Sequence, residues 1–119
     1  MSSACLIIIG NEILSGRTQD LNLAFLGKRM NEIGIRLAEA RVIADDSETI
    51  INTLNECRIK YDHVFTTGGI GPTHDDITSA AVAKAFDLPL IRDPEAVALL
   101  RQHYPNIEDL NEQRMKMCE

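Results

Sequence analysis

The sequence predicts an α/β fold: a three-layer α/β/α sandwich built on a mainly parallel sheet. Three observations carry that expectation. The run Cys5-Leu6-Ile7-Ile8-Ile9 is apolar throughout, as in a strand covered on both faces. Strand-like and helix-like patterns then alternate in the order βαβαβα, with further helix after them. Each strand-like run leads into a polar loop rich in glycine or aspartate.

The first strand ends at Gly10, and Gly10 to Asp20 reads as a loop. Leu23, Leu26, Met30 and Ile33 then repeat at helical steps, with Asp20 as a capping side chain and Gly34 as a left-handed stop. Ile35 to Ile43 reads as a second strand. Its polar middle, Glu39 and Arg41, predicts less burial than the first strand has. Asp45, Asp46 and Ser47 offer caps for the next helix, with Glu48 three residues after Asp45. That helix presents Ile50, Leu54, Cys57 and Tyr61. The third strand spans Asp62 to Thr66. A helix rich in small residues begins near Asp76, and one of Asp75 and Asp76 is expected to cap it. Leu88 to Ile91 reads as a short extended piece. Asp93-Pro94-Glu95 starts another helix, with Val97 and Leu100 facing inward. Tyr104-Pro105-Asn106 ends it, and a final polar helix covers about Glu108 to Cys118.

The chain has 119 residues with no repeats, linkers or low-complexity segments, so residues 1–119 read as a single domain. The net charge of -6 argues against nucleic acid as a partner. The run Ala4 to Ile9 is too short for a signal peptide or a membrane span. The three cysteines, Cys5, Cys57 and Cys118, are widely spaced and odd in number. A reduced, cytoplasmic protein without a disulfide framework follows. Cys5 and Cys57 read as packing residues, because neither has a neighbouring base.

The most informative stretch is Thr66-Thr67-Gly68-Gly69-Ile70-Gly71-Pro72-Thr73-His74-Asp75-Asp76-Ile77-Thr78. Glycines between a strand and a helix let peptide N–H groups approach a ligand directly. The helix start adds unpaired donors and positive potential. Such a turn suits a phosphate. The adjacent carboxylates suit a cation, or a hydrogen-donating part of the same ligand. A parallel sheet sends all its strand-to-helix loops to one edge. Gly10, Asn11, Glu12 and Asp20 therefore join Asp45 and Asp46, and these join the glycine turn. Arg17 can reach a phosphate or pair with Asp20. The plainer readings are a tight turn at the glycines, caps at the aspartates, and a solvated Glu12. His74 alone is a weak metal ligand, and His63 and His103 read as structural or solvent-facing.

GNEILSGRTQDLN followed by TTGGIGPTHDDIT resembles the molybdopterin-binding domain of MoaB, MogA and MoeA, and most of all its CinA (competence/damage-inducible protein A) type. The resemblance covers most of the chain, most clearly Leu6 to about Leu90. It implies a pocket lined by the third loop, with Asp76 contacting a pterin. Thr67, Gly68, Gly69, Gly71, Pro72, Thr73 and Thr78 match the family loop. Gly10, Glu12 and Gly16 match the first motif, where Asn11 replaces an aspartate. Asp45-Asp46 resembles the acidic turn of MogA-like proteins. The implied ligand set is therefore Thr67, Gly68, Gly69, Gly71, Pro72, Thr73, Asp76, Thr78, Gly10, Asn11 and Asp45.

The resemblance implies two activities. One is binding molybdopterin in molybdenum cofactor metabolism. The other is hydrolysis of ADP-ribose-type pyrophosphates with a divalent cation such as magnesium. Asp76, Asp75 and Glu12 would be catalytic, and Asp75 and Asp76 would hold the metal. A third reading is a non-catalytic scaffold. The expected partners are a small phosphorylated ligand and further copies of the chain, as a dimer or trimer. CinA-type domains usually continue with further strands, so a domain incomplete at its C-terminus is expected.

Overall fold

The computed structural model describes residues 2–104 and 112–119. Three strands form one parallel sheet: β1 (Ser3–Ile9), β2 (Arg36–Ile43) and β3 (His63–Thr67), in the order β2-β1-β3. The central place of β1 explains its uniform composition. Ala4 to Ile9 are all buried, and both edges of the strand are paired. The two other strands alternate or are only half-buried, as outer strands should be.

Cys5, Ile7 and Ile9 pack on α3 (Ser47–Lys60) through Ile50, Leu54 and Cys57, and Ala81 of α4 (Thr78–Ala85) joins them. Full burial of a side chain such as Ile7 is worth about 1.5–3 kcal/mol. Truncating Ile7 to Ala should cost about 2–5 kcal/mol. α2 (Asn22–Glu32) lies against β2 on the other face, as right-handed crossovers require. Gly27 of α2 faces Leu37 there. Only Met30 of the predicted α2 stripe is fully buried; Leu23 and Ile33 are exposed. A sheet of three strands is too narrow to cover that whole stripe.

Capping follows the sequence in part. Asp20 accepts hydrogen bonds from the N–H groups of Asn22 and Leu23, and Gly34 takes φ +81°. Asp46 caps α3 by accepting from the Thr49 N–H and hydroxyl. Asp46 rather than Asp45 is the cap, so no box forms between Asp45 and Glu48. The presumed loop after β1 contains a short helix, α1 (Asn11–Leu14). The helix after the glycine turn starts at Thr78, not near Asp76, and neither aspartate caps it. Asp76 is already engaged within the turn, as described below.

Leu88 to Ile91 forms no strand. α5 (Pro94–His103) starts as predicted, with Asp93 accepting from the Glu95 N–H, and Val97 and Leu100 are half-buried. α6 (Glu112–Met115) and a 3-10 turn (Lys116–Cys118) form the described part of the final helical segment. Pro105-Asn106 and positions 108–111 lie outside the described residues. All three cysteines are free and buried. Burial, and then contact with Cys57, pushes the Cys5 thiol up to about 12, so with no cation beside it the thiol stays protonated and is no nucleophile. Among the described residues no helix is long and apolar enough to cross a membrane.

Candidate functional site

The chain runs from β1 outward to β2, then crosses back to β3 on the other side of β1. The carboxyl ends of β1 and β3 are thus a topological switch point, where an open α/β sheet forms its crevice. A cavity of about 360 Å³ lies there, lined by Ile8, Ile9, Glu12, Ile13, Thr18, Asp20, Thr67 and Gly68 among others. A larger hollow of about 620 Å³ sits between α2 and the start of β2. It lies at the opposite end of the strands and gathers none of the rim acids.

The three loops are physically joined. Gly10 N–H donates to the Ile43 carbonyl at the end of β2. Asn11 Oδ1 accepts the Asp45 N–H at 3.1 Å. Glu12 folds its carboxylate over Gly10, where an added Cβ would meet an oxygen at 2.6 Å. Gly68 presses on the end of β1: with φ +95°, a Cβ there would sit 2.0 Å from the Ile9 carbonyl oxygen. Only glycine permits that conformation and that approach.

Inside the third loop, Thr78 is buried and holds two glycine carbonyls. Its hydroxyl donates to Gly68 O at 2.8 Å, and its N–H donates to Gly69 O at 3.0 Å. Thr78 therefore shapes the turn from behind. Among the described residues, the Gly68 and Gly69 N–H groups have no backbone acceptor outside the ladders. Gly71 differs, because the Asp76 carboxylate lies over it and its amide serves that group.

Asp76 closes a turn on Thr73. Its Oδ2 accepts from the Thr73 hydroxyl at 2.7 Å and from the Thr73 N–H at 2.9 Å. These bonds, with the Gly71 amide and the Lys116 charge, hold its carboxyl below the usual range. Lys116 also donates to the Thr73 carbonyl. Asp75 points outward, 80% exposed, and pairs with His74 at 3.2 Å. Pro72 is half-buried and Thr73 exposed. Arg17 does not pair with Asp20 among the described residues; its Nε donates to Ser15 Oγ.

Asp45 stands out. Its Oδ1 is buried with no hydrogen-bond partner. Burial raises its pKa first, followed by the negative charges of Glu12, Asp76 and Asp75. The acids of all three loops thus act on one carboxylate. That fits a divalent cation or a donor-rich ring, either of which would relieve both the burial and the repulsion. No three rim carboxylates among the described residues lie within 4.8 Å of one another. A cation of magnesium type, which keeps waters and shares phosphate oxygens, tolerates such spacing.

Sequence reasoning missed two participants. Lys116 comes from the far end of the chain, and no local signal marks it. Thr18 enters the cavity through the chain reversal after α1, fixed by its N–H to the Glu12 carbonyl.

Comparison with known proteins identifies the family to which this fold belongs. The family model "Probable molybdopterin binding domain" matches residues 5–113. A CinA-like protein of Salinibacter ruber is 39% identical over 101 residues, covering 85% of this chain and 24% of that protein. A "Probable FAD synthase" of Caenorhabditis elegans is 43% identical over 84 residues, covering 71% of this chain and 16% of that protein. The chain therefore spans less than a quarter of the length of these two relatives. A crystal structure of CinA from Thermoplasma acidophilum, described as of unknown function, superposes with a TM-score of 0.89 at 36% identity. It covers 98% of this chain and 69% of its own.

Proposed function

The chain belongs to the molybdopterin-binding domain family, and on that premise we propose that its three-loop rim binds a phosphorylated pterin or nucleotide. The observation that carries the reading is Asp45: a buried, unpartnered carboxylate oxygen at the meeting point of three acidic loops. The Gly68 and Gly69 amides take the phosphate, aided by the start of α4. Asp45 and Glu12 take the N–H groups of the pterin or base, since a carboxylate accepts two such bonds at once. Asp76 braces Thr73 and keeps the third loop in shape for the ligand.

A second reading is hydrolysis of an ADP-ribose-type pyrophosphate with a divalent cation. The repulsion at Asp45 favours it. One or two of Asp45, Glu12 and the outward Asp75 would hold the cation, with waters and phosphate oxygens completing its shell, and the ion would polarise a phosphoryl oxygen and acidify a water. The FAD synthase name carried by a relative is consistent with a nucleotide pyrophosphate at this rim. A cytoplasmic setting suits the three free thiols, and the outer edges of β2 and β3 offer surfaces for a dimer or trimer.

Titration calorimetry of molybdopterin and of ADP-ribose, with and without magnesium, tests the proposal on the wild type and on Asp45→Asn. Binding of one ligand that weakens in the variant supports it. Equal affinity in both proteins removes Asp45 from the site. Product formation that requires the cation selects the second reading.

A further inference from the structure

We propose that Cys5, Cys57 and Glu39 form a site for a soft divalent cation, of the zinc type, inside the domain. The site is separate from the loop rim. Cys5 lies four residues before Ile9, about 13 Å back along the strand at the usual rise.

The two sulfurs are in contact at 3.4 Å, and both residues are fully buried. One ligand atom from each of Cys5, Glu39 and Cys57 lies within 4.8 Å of the others. Two sulfurs bound to one tetrahedral zinc ion at about 2.3 Å each are about 3.8 Å apart. A disulfide needs about 2.0 Å. The observed separation is nearer the first value, so the pair suits an ion better than a bond between its own sulfurs.

The backbone supplies the third ligand. The β1/β2 register shifts between Ala4 and Cys5, and this irregularity brings Glu39 opposite Cys5. Without it the residue opposite Cys5 would be Ala38. The charge also balances. The ion displaces one proton from each thiol to solvent, giving two thiolates and a carboxylate around a double positive charge. One negative charge remains. Arg41, two residues along β2, holds Glu39 at 2.7 Å and also contacts Glu56. Its guanidinium and the Lys60 ammonium, which also acts on Glu39, together offset that charge and the Glu56 carboxylate.

Glu39 and Arg41 are 31% and 26% exposed, so the cluster opens to solvent on their side. An ion and a water as fourth ligand enter there. The occupied site would tie β1, β2 and α3 together.

Cobalt(II) is the probe, added to the reduced full chain. One ion per chain is expected, with an intense thiolate-to-cobalt charge-transfer band in the near ultraviolet. Cys57→Ala should abolish the band and Cys118→Ala should keep it. Glu39→Gln, on the half-exposed side, should weaken binding about tenfold while the fold persists. A wild-type protein that gives no such band overturns the proposal. So does a band that survives Cys57→Ala, or an affinity that Glu39→Gln leaves unchanged. Cobalt held by the rim carboxylates gives no thiolate band, so the two sites report separately.

Discussion

Asn11 Oδ1 accepts the backbone N–H of Asp45 at 3.1 Å, and this single bond ties the first loop to the second. It positions Asp45 with its own carboxylate turned inward. The residue that departs from the family motif is therefore a brace between loops, a task the amide oxygen performs as well as a carboxylate would. Asn11→Ala should lower stability by about 0.5–1.5 kcal/mol, read from urea denaturation. It should also weaken ligand binding by freeing Asp45.

Gly68 and Gly16 make a matched pair. Both have positive φ, but a Cβ at Gly68 strikes the Ile9 carbonyl, whereas one at Gly16 meets nothing within 4 Å. Gly16→Ala should cost about 1–2 kcal/mol, the left-handed penalty alone. Gly68→Ala should cost distinctly more, at the upper end of the common range of about 3 kcal/mol. Parallel denaturation of the two variants checks the contrast.

Asp45 should give a pH signature of unusual sign. Its carboxyl is raised above the ordinary 3.8 by burial, then by Glu12, Asp76 and Asp75. The folded state therefore binds the proton more tightly than the unfolded state does. Stability from this group is fully present below the ordinary value and is lost as pH rises through the raised one. Asp45→Asn should consequently be more stable than wild type at neutral pH, with the difference fading below about pH 4. The same variant should bind ligand less well.

Asp46 and Asp76 should act in the opposite direction. Asp46 is lowered by the Thr49 N–H and hydroxyl, and Asp76 by the Thr73 hydroxyl and N–H. Their contributions are present above the ordinary carboxylate value and vanish as pH falls through the lowered ones. Asp46→Asn and Asp76→Asn should each flatten the acid limb of the stability curve, measured as melting temperature against pH.

Lys116→Met tests the reach of the C-terminal segment onto the glycine turn. It removes the donor to the Thr73 carbonyl. Amide hydrogen exchange should quicken at Thr73 and Asp76, and affinity for a phosphorylated ligand should fall no more than about fivefold, as for an exposed charge. Unchanged exchange at both positions would show that the contact does not hold the turn.

How far the sequence reveals this structure depends on how local each cause is. β1 is legible because burial on both faces leaves no room for polar residues. α3 is legible because Ile50, Leu54 and Cys57 repeat on one face with Asp46 before them. α1 is not, since four residues are too few to show a period. The choice between Asp45 and Asp46 as cap is not local either. It depends on Asn11, 34 residues away, which fixes where the helix can begin. The late start of α4 follows from Thr73 and Asp76 satisfying each other first. The contact between Lys116 and Thr73 spans 43 residues and leaves no pattern in either segment.

The abutment of Gly68 on Ile9 makes the proposed ligand seat continuous with the innermost strand. A molecule bound at that seat would stabilise the folded domain as a whole, because the seat shares its backbone with the central strand. Occupancy should therefore raise the melting point of the entire protein in proportion to RT ln(1 + [L]/Kd). A simple thermal-shift screen of nucleotides and pterins thus becomes a direct route to the natural ligand.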